Sequence, residues 1–246
     1  MSTPAELALL QERDRRRGFR LLAWSGPASI VVVLVGWGVL AGFVPPPSPD
    51  MRAEEVAALW REDPELKRLG LTMCVWGGAL YVLFAAGIAQ ALRRVAGSSV
   101  LALAQFSMGA FGMVFFCWNF LLLATVGYRP DQPAEIVRAF SDVGFLMTFP
   151  PVQPFTLQVV LIGVVILQDR RPVPLIPRWL GFVNLWVGFL FLPAQAAVFV
   201  HDGPVAWDGF LTFWVPVGVF AIWFPLMCWA MLRMRAEDPA AAAAPA

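Results

Sequence analysis

One imidazole and two carboxylates stand close together late in the chain, at His201, Asp202 and Asp208. A histidine beside carboxylates can act as a general acid or base, or can bind a metal ion. A structural zinc site needs four clustered ligands, and one tight turn supplies too few. A solvated turn explains the same residues. We therefore predict no catalytic residue, no metal and no cofactor, and keep this segment only as an outer-loop candidate.

Uncharged polar side chains inside apolar stretches are the second group that could do chemistry. An amide in hydrocarbon is unfavourable unless it is hydrogen-bonded, so these side chains should face the protein interior. Two interpretations stay open: they bond neighbouring helices together, or some of them line a ligand pocket. The candidate ligand-binding set lies in the middle or outer half of the stretches, on the side away from the termini: Asn119, Thr148, Gln153 and Gln195. The inner half contains Gln90, Gln105, Gln158 and Asn184.

Three prolines interrupt the fourth apolar stretch, at Pro150, Pro151 and Pro154. Proline inside a helix removes a backbone hydrogen bond and clashes with the preceding turn, so three within five residues should break the helix. A broken helix at membrane depth is tolerated where it is buried in protein or lines a cavity. A kink particular to this fold is the alternative, because proline is common in membrane helices.

These residues belong to a chain of 246 residues in which long apolar stretches alternate with charged segments. About 20 apolar residues span a bilayer as a helix, and helices satisfy their own backbone groups in lipid. The alternation that marks a membrane barrel is absent. The sequence predicts an all-α, six-helix transmembrane bundle. The predicted spans are residues 21–43, 71–92, 100–127, 143–167, 179–200 and 210–232, and all 18 Lys and Arg and 17 Asp and Glu lie outside them.

Orientation follows from the distribution of Lys and Arg, which are enriched on the cytoplasmic side of membrane proteins. Segments on the side of the termini hold 12 of these residues and the opposite side holds six. We therefore predict both termini in the cytoplasm. Residues 1–20 form the cytoplasmic N-terminal segment, 21–232 the membrane domain and 233–246 a disordered cytoplasmic tail. The Arg-rich usage is typical of a GC-rich bacterial genome, which favours the bacterial inner (plasma) membrane.

Two outer segments carry helical signals of their own. In the first, Ser48 or Asp50 is the predicted cap, and the helix face is formed by Val56, Leu59 and Trp60. In the second, Pro133 suits a first helical position, and a face is formed by Ile136, Phe140 and Val143. Two interpretations stay open: short amphipathic helices lying on the membrane surface, or ordered segments packing on the bundle.

The same two segments resemble each other. Residues 49–59 align without gaps on residues 130–140, with six of eleven positions identical at an offset of 81. The chain could therefore consist of three helical hairpins in a parallel repeat, as in some transporters. Chance similarity between two amphipathic segments is the alternative, and the short outer loop of the third hairpin departs from the pattern.

Several function classes conflict with the sequence. Ion-coupled transport normally needs an ionisable group at membrane depth, and the predicted spans contain none. The only lysine, Lys67, lies in an outer segment, and a single histidine cannot provide two axial haem ligands. A net charge of +1 argues against a nucleic-acid partner.

Three hypotheses remain. The first is a membrane protein, in contact with lipids, that binds or passes a neutral, largely apolar small molecule or lipid. The second is a structural or accessory subunit that packs against another membrane protein. The third is a membrane enzyme that uses His201 at the outer surface.

Overall fold

Helices make up the whole regular structure of the residues that the computed structural model describes, 3–95 and 98–234, and no strand occurs among them. The eight α-helices are α1 (Pro4–Leu34), α2 (Ala53–Arg61), α3 (Pro64–Leu92), α4 (Ser99–Val126), α5 (Ala134–Thr148), α6 (Gln153–Gln168), α7 (Arg178–Phe191) and α8 (Val215–Arg233). A π-helix at Val35–Leu40 continues α1, and a 3₁₀-helix at Leu192–Val198 continues α7. A second π-helix, at Phe210–Trp214, precedes α8.

Within the described residues, six helical segments are long and apolar enough to cross a membrane, which confirms the predicted number of spans. They are Glu6–Leu40, Pro64–Leu92, Ser99–Val126, Ala134–Gln168, Arg178–Val198 and Phe210–Arg233. The first helix starts well before the predicted span, because Thr3 and Glu6 cap each other: Glu6 N–H donates to Thr3 Oγ1 (3.3 Å) and Thr3 N–H donates to the Glu6 carboxylate (2.7 Å). The predicted disordered tail lies outside the described residues from 235 onward.

The outer helix α2 packs on the bundle and does not lie free on a membrane surface. Its Trp60 is fully buried and donates from Nε1 to Ser141 Oγ of α5 at 3.0 Å. The predicted cap was wrong, because Arg52 is the residue before the helix and neither Ser48 nor Asp50 caps it. Glu55 instead accepts from the Arg52 guanidinium (2.7 Å) and backbone N–H (2.9 Å), and these hydrogen bonds hold the pKa of Glu55 below its ordinary value.

Helix α5 belongs to the fourth span and is not a separate surface helix. It begins at Ala134, with Pro133 just before it, and runs as far as Thr148 within the apolar segment Ala134–Gln168. The predicted apolar face points outward, since the side chains of Ile136, Phe140 and Val143 are exposed. The buried face, which packs against α2 and α4, is formed by Val137, Ser141, Gly144 and Phe145.

The fourth span is broken where the prolines predict it. Helix α5 ends at Thr148 and α6 starts at Gln153, and the intervening residues are not helical. Within the break, Val152 N–H donates to Pro150 O at 2.7 Å, while Pro150 and Pro151 have no N–H to donate. Pro154 falls in the first turn of α6, where a missing N–H costs little.

Close helix contacts depend on small residues, as is common in membrane bundles. A Cβ on Gly36 would lie 2.5 Å from Gly70 O, and one on Gly163 would lie 2.8 Å from Gly181 O. These two pairs bring α3 against the π-helix that ends the first span and α6 against α7. Helix α3 is the most buried span and contacts both α1 and α4, so it forms the centre of the bundle.

The loop after α6 is held by hydrogen bonds at the end of the bundle where α8 ends. Arg171 donates to Asp169 Oδ1 (3.0 Å) and to Arg94 O (2.8 Å), which joins this loop to the turn after α3. Burial acts to raise the pKa of Asp169, but hydrogen bonds from Leu175 N–H and from the Arg171 side chain and N–H hold it below its ordinary value. The carboxylate therefore remains charged while buried.

Candidate functional site

The first candidate site is an apolar cavity of about 140 Å³ inside the bundle. It lies midway along the bundle, because Gly78 and Gly112 in its wall fall at the centres of α3 and α4. From there it extends to Trp37 near the outer end of the first span and to Thr148 at the end of α5. An apolar cavity of roughly 150 Å³ is known to stay dry and to bind benzene. The space therefore suits one aromatic ring or a short alkyl segment.

The break in the fourth span forms part of the cavity wall. Thr148, Phe149, Pro151 and Val152 all line it. Another part of the wall comes from the start of α8, where Pro216 follows the change from π- to α-helix and lines the cavity with its neighbours. Two irregular backbone segments thus meet at one cavity, as expected where non-helical backbone at membrane depth is shielded from lipid.

The few polar side chains in the wall have hydrogen-bond partners within the protein. Ser29 Oγ donates to Gly77 O at 2.7 Å, and Thr212 Oγ1 donates to Val205 O at 2.9 Å. Thr148 Oγ1 donates to Gly144 O at 2.9 Å. Tyr81 donates to Gln158 Oε1 at 2.5 Å. A molecule in the cavity would therefore meet mainly carbon, and a polar group placed there would lose its hydrogen bonds to water without replacement.

Aromatic rings hold the cavity walls in place. Trp37 packs edge-on against Phe149 and tilted against Phe120, with ring centroids 6.3 Å and 5.6 Å apart. Tyr81 makes edge-to-face contacts with Phe155 (5.6 Å) and Phe224 (5.7 Å). Such pairs favour fixed geometries and contribute about 0.5–1.5 kcal/mol each beyond their buried area.

The four predicted ligand-binding residues form two separate pairs, and only Thr148 lines the cavity. Asn119 is buried and donates from Nδ2 to Thr148 Oγ1, while its Oδ1 has no partner among the described residues. Gln153 Nε2 donates to Gln195 Oε1 at 3.3 Å. The expectation that Asn119, Gln153 and Gln195 all face inward was wrong for Gln153, which is exposed beside the break. A role of the four in ligand binding stays a prediction.

The inner amides bond helices together, apart from Gln90, which is exposed. Tyr81 donates to Gln158 of α6, whose Nε2 donates to Gln105 Oε1 of α4 at 3.2 Å. Gln105 Nε2 in turn donates to Ala85 O (3.3 Å) and Ala102 O (3.1 Å). We call this fully buried series the Tyr81–Gln158–Gln105 chain. It lies beneath the cavity and links α3, α6 and α4.

Sequence reasoning missed Tyr81, the residue that joins the cavity to this chain. The available signal was a lone tyrosine in the middle of an apolar stretch, because a buried phenol hydroxyl usually finds a partner. Gly109 was missed as well. A Cβ at Gly109 would lie 2.6 Å from Gln158 Oε1, so glycine there leaves room for the amide.

Asn184 makes a second inner link. Trp223 Nε1 of α8 donates to Asn184 Oδ1 at 3.0 Å, and Asn184 Nδ2 donates to Leu180 O at 2.8 Å. All three groups are buried, so this contact joins α7 to α8. The Tyr81–Gln158–Gln105 chain and the Asn184 contact both agree with the interpretation that the inner amides bond neighbouring helices together.

The outer-loop candidate forms an open turn. His201 and Asp202 are exposed, and Asp208 is half-buried. Among the described residues no group of three or more His, Cys, Asp or Glu side chains is placed to hold a metal ion. The turn is fixed by Trp207 between these residues, whose Nε1 donates to Pro47 O at 2.7 Å.

Comparison of the chain with protein-family models, with curated proteins and with solved structures finds no match.

Proposed function

We propose that this is a multi-pass protein of the bacterial inner (plasma) membrane, with both termini cytoplasmic, that binds or passes a neutral, largely apolar small molecule or lipid. The six apolar helices are compatible with an integral membrane protein. The Lys and Arg distribution, 12 on the side of the termini and six opposite, supports the orientation. The absence of charged residues from the predicted spans supports passage without ion coupling.

The observation that carries the proposal is the cavity beside the broken fourth span. A ring or alkyl segment that enters from lipid gains no hydrophobic free energy, because lipid tails are as apolar as the cavity. It gains van der Waals contacts with walls that otherwise face empty space. The hydrogen-bonded polar groups of the wall offer little to a charged ligand. Selection would therefore rest on shape and on the lack of charge.

Entry from the surrounding lipid follows from the exposure of two wall residues. Phe115 of α4 and Met147 of α5 line the cavity, and they are also 48% and 45% exposed on the outside of the bundle. Both side chains can change rotamer without breaking a hydrogen bond. A hydrophobic ligand can thus pass between α4 and α5 and need not cross water.

The test is a cavity-filling substitution. Val217→Phe adds volume to the cavity wall, whereas Ile222→Phe changes an exposed residue of the same helix and serves as the matched control. Both proteins are purified in mild detergent, and copurifying apolar compounds are quantified by mass spectrometry. We expect Val217→Phe to lose a compound that the wild type and Ile222→Phe retain, with the melting temperature kept or raised. Equal retention by all three proteins would contradict the proposal.

A structural or accessory role is the second candidate, and the exposed tryptophans favour it. Trp76 and Trp118 lie within the spans with their rings on the outside of the bundle, whereas tryptophan in membrane helices prefers the interfaces. A partner helix would cover these rings. In that case the inner amides serve assembly alone, and Val217→Phe leaves every copurifying compound unchanged. For the third hypothesis, an enzyme that uses His201 with Asp202 or Asp208, the exposed turn provides no enclosed site.

We also propose that the first two helical hairpins are copies in a parallel repeat. Helices α2 and α5 begin at Ala53 and Ala134, residues that the alignment pairs at the offset of 81. The two helices pack against each other, with Trp60 of α2 hydrogen-bonded to Ser141 of α5. Their equivalent starts support a common origin of the first two hairpins.

A further inference from the structure

A second cavity, of about 290 Å³, lies at the end of the bundle opposite the termini. Its walls come from the last turn of α4, the turn that follows and the first turns of α5. The volume is close to the lower limit of about 300 Å³ for small-molecule sites. It differs from the apolar cavity in chemistry, because Tyr128, Arg129 and Gln132 line one side of it.

The polar side of this cavity presents donors that have no partner in the described part of the protein. The side chains of Tyr128, Arg129 and Gln132 make no hydrogen bond or ion pair with the described residues. Arg129 differs in this from two neighbouring arginines: Arg138 pairs with Asp142 at 3.6 Å, and Arg61 donates to Pro130 O at 3.1 Å. The guanidinium of Arg129 is therefore available to an anion.

The charges around the cavity favour an anion over a cation. Of the residues that the structure describes, no acidic one lines the cavity, although Asp131 and Glu135 lie nearby on the same turn and helix and are exposed. Neither forms an ion pair with Arg129 in the described structure. Arg68 also lies close, with its guanidinium carbon 5.9 Å from the centre of the Tyr128 ring, but its charge is paired with Glu65 at 3.7 Å, so Arg129 is the cation that the cavity itself presents.

The apolar side of the cavity continues toward the membrane centre. Ile136 and Phe140 line it, and Val143 follows them on the same exposed face of α5. Hydrogen-bond donors at the membrane interface are thus joined to an apolar strip that runs down into hydrocarbon. That combination matches a phospholipid, whose phosphate lies at the interface and whose chains run inward.

We propose that this cavity binds the phosphate of an anionic phospholipid from the leaflet opposite the termini. Arg129 donates to the phosphate oxygens through its two-pronged guanidinium, which matches phosphate geometry. Tyr128 and Gln132 add neutral donors, and Ile136 and Phe140 pack along one acyl chain. A zwitterionic head group is bound less well, because its ammonium finds no carboxylate among the described lining residues.

The test compares Arg129→Gln with Arg138→Gln, which removes the same charge from the same outer region but outside the cavity. Each protein in detergent is titrated with dioleoylphosphatidylglycerol or with dioleoylphosphatidylcholine, and native mass spectrometry measures the bound lipid. We expect Arg129→Gln to weaken phosphatidylglycerol binding about tenfold, the size expected for one charged hydrogen-bonded contact. Arg138→Gln should stay within about twofold, on the same scale, and Arg129→Lys should fall between wild type and Arg129→Gln.

Three results would overturn the proposal. Equal weakening by Arg129→Gln and Arg138→Gln would mean diffuse attraction to surface charge. Equal binding of the two lipids would remove the role of the anion. Displacement of the lipid by millimolar inorganic phosphate would mean a site for free phosphate. If Arg129→Gln lowers the melting temperature, Tyr128→Phe makes the same comparison, because it removes one donor and keeps the ring.

Discussion

Replacing Gln158 by leucine tests how far buried hydrogen bonds hold this bundle together. Gln158 accepts from Tyr81 at 2.5 Å and donates to Gln105 at 3.2 Å, and all three side chains are buried. Leucine has a similar volume and no polar atoms, so Gln158→Leu leaves the Tyr81 hydroxyl and Gln105 Oε1 without partners. Each orphaned group costs about 1–3 kcal/mol in a protein interior. Hydrogen bonds between membrane helices average about 0.6 kcal/mol with a maximum near 1.7.

Two lost bonds at the upper end of the membrane range, about 1.7 kcal/mol each, predict a loss of about 3 kcal/mol in the free energy of unfolding. Tyr81→Phe removes one bond and one buried hydroxyl, so its cost should be about 1–2 kcal/mol. The double variant should cost less than the sum, because Tyr81→Phe has already removed the hydroxyl that Gln158→Leu would otherwise leave unpaired. The expected coupling is about 0.6–1.7 kcal/mol.

The assay is reversible unfolding in bicelles, with Gln90→Leu as the matched control. Gln90 is exposed near the inner end of α3, so the same substitution there should change stability by less than about 0.5 kcal/mol. Additive effects of Tyr81→Phe and Gln158→Leu, or equal costs of Gln158→Leu and Gln90→Leu, would refute the reasoning.

Two further substitutions separate the outer features. Gln153→Leu removes only the 3.3 Å hydrogen bond to Gln195 at an exposed position. It should leave copurifying compounds unchanged and lower the free energy of unfolding by less than about 1 kcal/mol. Loss of a compound would show that the Gln153–Gln195 pair takes part in ligand binding. Asp169 has a lowered pKa, so its charged form stabilises the folded state above its ordinary pKa of about 3.9, and this stabilisation is lost as pH falls through the lower folded-state pKa. The difference in melting temperature between wild type and Asp169→Asn should therefore be constant near pH 7 and shrink below about pH 4; a difference that does not depend on pH would show that the carboxylate charge is not involved.

The number of helices and the break could be predicted because both depend on local features. The length of an apolar stretch decides whether it can cross hydrocarbon as a helix. Pro150, Pro151 and Pro154 remove backbone N–H donors from the fourth stretch, whatever tertiary contacts surround it. The pairing of the amides could not be predicted. The amides of Gln105 and Asn119 indicate an inward side of α4, and both residues are buried, but the sequence does not indicate which residue of a neighbouring helix each amide bonds.

The position of Gln153 shows the same limit. Gln153 is the first residue of α6, directly after the break, and its side chain is exposed and pairs with Gln195. The place of the outer helix α2 could not be predicted either, because the apolar face of Val56 and Trp60 suits a membrane surface as well as a protein surface. Only the tertiary contact between Trp60 and Ser141 decides between them.

The central claim, that an apolar ligand occupies the cavity beside the broken span, is tested most directly by photo-crosslinking in intact membranes. A diazirine-bearing amino acid is introduced at Val152 in the cavity wall, and separately at Leu157, an exposed residue of the same span. Intact-mass analysis after illumination then identifies the adducts. The account predicts one discrete adduct at position 152 that is absent at position 157, where bulk phospholipids should be captured. The same phospholipid pattern at both positions, or only water-quenched product at 152, would contradict it.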